Sequence, residues 1–416
     1  VLIPWRRARV ATKEDVPQIP REIWVLVIGA FIIALGFGLI APVLPQYARS
    51  FDVSVFAASF VVSSFSILRL IFAPTSGKLV DKFGGRRTYL IGLLIVAGST
   101  LLVAAAQNYW QLLFFRAAGG IGSTMFTVAA MGLIVRIAPP EIRGRCSAAY
   151  GSAFLLGNVF GPLLGAAMAP LGMRVPFVVY GVALVIATAV VWRMLQSDAG
   201  TAGAKNAGLP VLTFREALTD SAYRASLVSG FANGWSNFGV RVAIVPLFAA
   251  AAFTNGAAVA GLALTFFAAG NVVALQFSGR LADSIGRKPI LVIGLIINGI
   301  FTAVLGFMHG DIAVMAVSAI AGFGAGMINP AQQATVSDIV GNERQGGKVF
   351  ASYQMAQDLG AISGPLIVGL IVDLVGYEAG FISCGLITAV ALVAWLFGRE
   401  TWEGKRVKPE ALEDSK

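Results

Sequence analysis

The 416-residue sequence predicts an all-α membrane protein of twelve transmembrane helices in two parallel six-helix repeats, and three observations predict it. The composition is 57% hydrophobic and only 12% charged, against about 25% charged in a soluble domain, and mean hydropathy is +0.79. Apolar stretches of about 20 residues, the length that crosses a bilayer, recur along the whole chain. A shift of 201–203 residues lays the chain on itself. The bilayer core has no water for free backbone groups, so the apolar stretches must be helices. A β-barrel would instead alternate over segments of about ten residues, and no such segments appear.

Residues 1–22 are basic and polar, and the first apolar run follows. A cleaved leader would have a shorter apolar core and a small-residue cleavage site, so this run reads as a true span. The runs lie at about 23–47, 55–77, 88–106, 109–135, 146–169, 175–195, 222–250, 255–279, 289–308, 311–337, 347–372 and 377–398. The longest joint, 196–221, is small, polar and rich in Gly and Ala. It reads as a linker with a short amphipathic piece at 213–220, dividing a half at 23–195 from a half at 222–398. Residues 399–416 form a charged tail.

The basic residues orient the chain. The N-terminal segment, the even-numbered joints and the tail hold nearly all of the lysines and arginines, whereas the odd joints carry only Arg49 and Arg174. The positive-inside rule then puts both termini, the linker and the tail in the cytoplasm. Because the net charge of +10 sits in short joints between apolar runs, it argues for a membrane surface and not for nucleic acid. The two cysteines, Cys146 and Cys384, lie in or beside apolar segments, with no CxxC and no His cluster. No zinc site, disulfide framework or cofactor is predicted. No span or joint assembles a nucleophile–base set, so an enzyme is not expected. His309, at the end of an apolar run, reads as an interfacial bystander.

The self-match is detailed. "GKLVDKFGGRR" at 77–87 falls on "GRLADSIGRKP" at 279–289, "GFGLIAPVLP" at 36–45 on "NFGVRVAIVP" at 237–246, Gly122 on Gly324, and "GNVFGP" at 157–162 on "GAISGP" at 360–365. Both copies keep the same orientation, as in carriers whose substrate site lies at the repeat interface.

Over essentially its full length the chain resembles the major facilitator superfamily. The resemblance rests on "G-x-L-x-D-x-x-G-R-[RK]" between spans two and three and its copy between spans eight and nine. The motif residues are Gly77, Asp81, Gly84, Arg86 and Arg87, then Gly279, Asp283, Gly286, Arg287 and Lys288. Gly77 and Gly279 suit a close helix approach, and Gly84 and Gly286 a tight turn. The resemblance implies that each aspartate docks near the N-terminus of a helix in the opposite half, where the dipole favours an anion. Asp81 would meet span eleven near Lys348, and Asp283 would meet span five near Arg145, latching the cytoplasmic side shut. A plain positive-inside joint accounts for the Arg and Lys but not for the duplicated Asp and Gly.

"GNVFGPLLG", with Gly157, Gly161, Pro162 and Gly165, resembles the span-five motif of the superfamily's twelve-helix drug:proton antiporters, with Ala166 where a second Gly is usual. Small residues at this spacing also serve ordinary close packing.

Charges at membrane depth are costly and usually face a cavity or a partner. Arg116 occupies the position of the antiporters' span-four arginine, which the resemblance ties to proton coupling; snorkelling to the outer face is the other reading. Asp358 is the acidic residue near mid-span. It lies about 18 Å from Gly346, and Arg69 lies about 12 Å from Gly77. Packing of spans two and eleven, which the resemblance implies, would pair Arg69 with Asp358, either as a proton site or as a static strut. The resemblance lines the cavity with spans one, four, seven and ten. Arg241, Asn233, Asn237, Asn329, Gln332 and Gln333 would make a polar wall, and Phe37 and Phe126 an apolar one. The expected function is proton-coupled efflux of small amphiphilic compounds by a monomer in the cell membrane, with substrate, protons and lipid as partners. The alternatives are a nutrient importer or lipid-like substrate carrier of the same fold, and a non-transporting scaffold or receptor.

Overall fold

The computed structural model describes residues 18–138, 142–195, 210, 212–341, 344 and 347–402. Among them are twelve helices long and apolar enough to cross a membrane, and no strand. The first half holds α1 (Arg21–Ile40), α2 (Val55–Phe83), α3 (Gly85–Ala105), α4 (Tyr109–Ile137), α5 (Arg143–Met168) and α6 (Val175–Met194). The second holds α7 (Ser221–Ala252), then α8 (Gly256–Ile285), α9 (Arg287–Val304), α10 (Asp311–Val340), α11 (Gly347–Leu374) and α12 (Tyr377–Phe397). Large apolar side chains such as Trp24, Ile71, Trp110, Phe114 and Leu386 stay exposed on the outer faces, as a lipid-facing surface requires.

Local chemistry sets the helix ends. Ser54 Oγ accepts from Ala57 N–H at the start of α2, and Asn108 Oδ1 from Gln111 N–H at the start of α4, each satisfying a donor with no intrahelical partner. The first apolar run is not one helix. It breaks after Ile40 and resumes as a short helix, Leu44–Arg49, because Pro42 and Pro45 each lack a backbone N–H. The charged "loops" are mostly helix. α2 continues through Lys78 and Lys82 to Phe83, and only Gly84, at φ 84°, turns the chain into α3. Likewise α8 runs to Ile285, and Gly286, at φ 110°, turns it into α9. Apolarity reports the membrane, whereas backbone bonding carries the helix past its surface. Only glycine takes these positive φ values without strain.

Within each half, glycines bring backbones into contact at repeat-related places. A Cβ on Gly92 would lie 2.7 Å from Gly122 O, between α3 and α4, and one on Gly294 would lie 2.9 Å from Gly324 O, between α9 and α10. The repeat is therefore also a repeat of packing.

The halves meet at the end of the molecule opposite the termini. There Gln46 Nε2 donates to Pro246 O, Ser63 Oγ donates to Ile362 O, and the Asp373 carboxylate accepts from Val55 N–H and Phe56 N–H. Gly369 touches Phe56 and Ser59, and Gly261 on α8 touches Pro162 and Ala166 on α5. At the termini end, a Cβ on Gly77, Gly151 or Gly279 would meet nothing within 4 Å. The close approach expected at Gly77 and Gly279 is therefore absent among the described residues. Of the 196–221 linker, residues 196–209 and 211 lie outside the described residues. Its last part contains a helical turn, Phe214–Ala217, closed by a capping box between Thr213 and Glu216.

The chain beyond α12 docks as far as Trp402. The Glu400 carboxylate accepts from Arg287 N–H and Lys288 N–H, placing an anion at the N-terminus of α9 where the dipole favours it. Arg399 pairs with Asp220, at 2.6 Å, at the start of α7.

Candidate substrate and proton sites

α2 and α11 run antiparallel: Phe56 meets Asp373, Ser59 meets Gly369 and Ser63 meets Ile362. Farther toward the termini end the same pair of helices carries Arg69 and Asp358. Both are half-buried, and the Arg69 charge acts on the Asp358 carboxylate. They do not close to an ion pair; Asp358 Oδ1 instead accepts from Gln354 Nε2 at 3.2 Å. The expected contact is corrected to a near approach, because Gln354 on the preceding turn of the same helix takes the carboxylate. The Arg69 charge also reaches Tyr150 on α5, whose buried hydroxyl has no partner. Arg69 thus lies between α5 and α11, a role for Tyr150 that no sequence signal carried.

Arg116 is 6% exposed and so does not snorkel outward. Its guanidinium stacks over Phe65 at 4.0 Å and lies 5.8 Å from the Phe37 ring, an attraction between cation and ring face. Its Nε has no partner. Phe126 is 3% exposed and packs edge-on to Tyr89, inside the first half instead of on a cavity wall.

The expected polar wall of the second half mostly turns inward. Asn233, Asn237 and Gln332 are buried, whereas Asn329 is half-buried and Gln333 exposed. Asn233 donates to Asn329 Oδ1, Asn237 donates to Asn233 Oδ1, and Asn298 on α9 donates to Asn237 Oδ1 and Ala321 O. This amide ladder joins α10, α7 and α9. A second network runs from Gln357 through Tyr353 and Gln332 to Ser229, which also accepts from Trp395 Nε1. Buried amides need such partners, so these residues hold helices together; Asn329 and Gln333 remain as surface-facing candidates. Arg241, 2% exposed, also points into the bundle, donating to Thr302 Oγ1 at 3.0 Å and stacking over Phe267 at 4.0 Å. Phe65 and Phe267 are related by the repeat shift, the one clue in the sequence to these two stacks.

Of the gate residues, the side chains of Asp81, Asp283 and Arg145 lie outside the described residues. Arg86 donates to Trp192 O, and Lys288 donates to Leu396 O and Gly398 O. Both thus bind carbonyls at the C-terminal end of the last helix in their own half, where a cation is favoured. Arg287 pairs with Asp338 at 3.2 Å, and Arg87 is exposed.

Gly157, Gly161 and Gly165 of α5 press against α1: their Cβ positions lie 2.7, 2.5 and 2.5 Å from Phe31 O, Leu35 O and Leu39 O. On the other side, the Ala166 methyl fills the space opposite Gly261 of the second half, 2.5 Å from a Cβ built there. The extra carbon at 166 is accommodated by the missing one at 261.

Twelve spanning helices in two repeat-related halves that meet at one end, with half-buried charges beside the dividing surface, define a multi-pass membrane carrier. The Major Facilitator Superfamily profile matches residues 26–234 and again 226–415, and the chain belongs to that family. It is 25% identical over 394 residues to "Multidrug resistance protein 2" of Bacillus subtilis (strain 168), covering 93% of this chain and 96% of that one. It is 27% identical over 369 residues to "Quinolone resistance protein NorA" of Staphylococcus aureus, covering 85% and 90%. Among solved structures, an inward-facing, unoccupied bacterial homolog of the human lysosomal transporter Spinster superposes with a TM-score of 0.75 at 14% identity, covering 90% and 95%. The human organic anion transporter MFSD10 (TETRAN) gives 0.64 at 17%, covering 91% and 100%. These structures share the fold. The protein is a transporter of the cell membrane, and not an enzyme.

Proposed function

We propose that the protein exports small amphiphilic compounds in exchange for protons, as a monomer, by rocking its two halves about the central charges. The observation that carries this reading is Asp358: a half-buried carboxylate on the dividing surface between the halves, within electrostatic reach of Arg69 across it. A carboxylate there gains a cation's support when the halves close and loses it when they part, so its proton affinity follows the conformation. With the termini end cytoplasmic by the positive-inside rule, the open end faces the cytoplasm and loads substrate there. Arg116, held on Phe65 and Phe37, supplies a second fixed charge. Names of the multidrug resistance relatives support the direction of transport.

The test is flux in proteoliposomes under an imposed pH gradient, with cationic, neutral and anionic fluorescent amphiphiles as probes. Substrate should move against the proton flow, and Asp358→Asn should abolish the response to pH while keeping protein in the membrane. Flux indifferent to both ΔpH and ΔΨ would replace coupling with facilitated diffusion, and flux along with protons would make it an importer. Absence of both flux and ligand-dependent thermal shifts would favour a scaffold.

A further inference from the structure

Two arginines lie buried on phenylalanine rings, one in each half, and they differ at the guanidinium edge. Arg241 follows a π-helical stretch of α7, Gly234–Val240, and is sealed inside the bundle: Nη2 donates to Thr302 Oγ1, and Nε and Nη1 are closed off. Arg116 is closed off only at Nε; its Nη1 and Nη2 keep accessible surface, although the residue as a whole is 6% exposed. These two nitrogens make no hydrogen bond among the described residues, and no carboxylate there lies within ion-pair distance of them. A guanidinium carries five donors in a fixed fork, and leaving them unmet in a low-dielectric interior is costly.

The open edge of Arg116 points inward. Phe114, two residues earlier on α4, is 71% exposed on the lipid-facing surface, and two residues turn an α-helix by about 200°. Arg116 therefore faces away from lipid, toward α1 and α2, where Phe65 lies under the guanidinium at 4.0 Å and Phe37 beside it at 5.8 Å. The two rings are 6.3 Å apart and Phe37 is only half-buried, so an accessible apolar surface adjoins the cation. Stacking on Phe65 fixes the plane of the fork. The fold itself does not require this charge: the shift that lays Gly122 on Gly324 lays Arg116 on Ser318, a fully buried residue.

We propose that Arg116 is a specificity-determining residue, and that the substrate it selects is an amphiphile with an oxyanion head, a carboxylate or a sulfonate. Nη1 and Nη2 form the end of the fork that takes two oxygens of one head in parallel, and the Phe37 ring takes the apolar body next to that head. Phe65 holds the fork in place from below. Arg241 has no part in this recognition, because its edge is sealed. The inference rests on the reading that the protein carries amphiphiles, and it does not depend on what drives them.

The test uses the purified full-length protein in detergent and three probes of nearly one shape, naphthoate, naphthamide and naphthylmethylammonium, with Kd measured by calorimetry. Wild type should bind naphthoate at least about tenfold more tightly than naphthamide, as a charge-assisted pair of hydrogen bonds requires, and the ammonium most weakly. Arg116→Gln should make naphthoate and naphthamide equal. Arg116→Lys keeps the charge but loses the fork, so it should retain only part of the preference. Phe37→Leu should weaken naphthoate and naphthamide by the same factor. Should Arg116→Gln not fold, Arg116→Lys and Phe37→Leu decide. No saturable binding of naphthoate, no preference for it in the wild type, or a preference unchanged by substitution at Arg116 would overturn the site. Binding at equilibrium needs no gradient. Flux indifferent to ΔpH would therefore defeat proton coupling and leave this site standing, whereas three equally bound probes with proton-driven flux would do the reverse.

Discussion

The Asp373 carboxylate, at the far end of α11, accepts the first free N–H groups of α2: Val55 N–H at 2.9 Å and Phe56 N–H at 2.8 Å. One half thereby supplies the anion that the other half's helix dipole favours. Such a contact is worth about 0.3–2 kcal/mol, or roughly 2- to 30-fold in the balance between two states. Asp373→Asn should shift the protein toward a state open at the far end. Spin-label distances between far-end positions on α2 and α11 would lengthen, and an unchanged distribution would show that the contact does not latch.

Far-end closure of α5 on α8 depends on the missing side chain at Gly261. Gly261→Leu would drive a side chain into Ala166 and Pro162 O. The variant should reach the membrane in normal amount yet transport poorly, trapped with its termini end closed. Labelling of a cysteine placed beside Gly279 should slow accordingly, and wild-type labelling and flux together would refute the argument.

Arg69 and Asp358 approach without pairing, so their stability effects should be small and nearly additive in the state described. Arg69→Met and Asp358→Leu, combined, should match the sum of the single changes within about 0.5 kcal/mol. A touching buried pair would instead cost about 3–5 kcal/mol when one partner is removed. Thermal unfolding of the three variants distinguishes these cases. Strong non-additivity would mean that the pair closes in the populated state.

In the amide ladder, Asn298→Leu removes the side-chain donor to the buried Asn237 Oδ1 and to Ala321 O, a loss of about 1–3 kcal/mol. Gln333→Leu, at an exposed position, should leave Tm nearly unchanged. Equal effects from the two would mean that the ladder carries no stability.

Asp220 ties the start of α7 to Arg399 beyond α12. Burial pushes its pKa up, but the bonds from Arg399 and from Ala222 N–H outweigh that and hold it below the usual carboxylate range. A carboxylate with a depressed folded pKa stabilises the fold above its unfolded value of about 3.9, and that contribution disappears as pH falls through the folded pKa. Arg399 is half-exposed, so the gain is at most about 1 kcal/mol. The Tm gap between wild type and Asp220→Asn should be flat from neutral pH to about 5 and shrink below about 4. A gap that widens in acid would contradict the assignment.

The sequence by itself determined the twelve spans, the duplication and the glycine turns. Apolar length, repeat spacing and positive φ are each written in consecutive residues, and Gly84 and Gly286 were legible because no other residue takes that backbone cheaply. It also placed Arg69 level with Asp358, since depth in a helix is counted from the chain. Tertiary structure decided where the polar side chains turn. Asn233, Asn237, Gln332 and Arg241 lie on the two helices of the second half expected to line a cavity, yet their partners Asn298, Tyr353 and Thr302 come from α9 and α11 and draw them into the bundle. The π-helical stretch of α7 shifts the register of Arg241 by one residue, which no spacing rule anticipates. Whether Arg69 meets Asp358 depends on how far apart the halves stand, and that is set by contacts such as Asp373 with Phe56, more than three hundred residues apart in the chain.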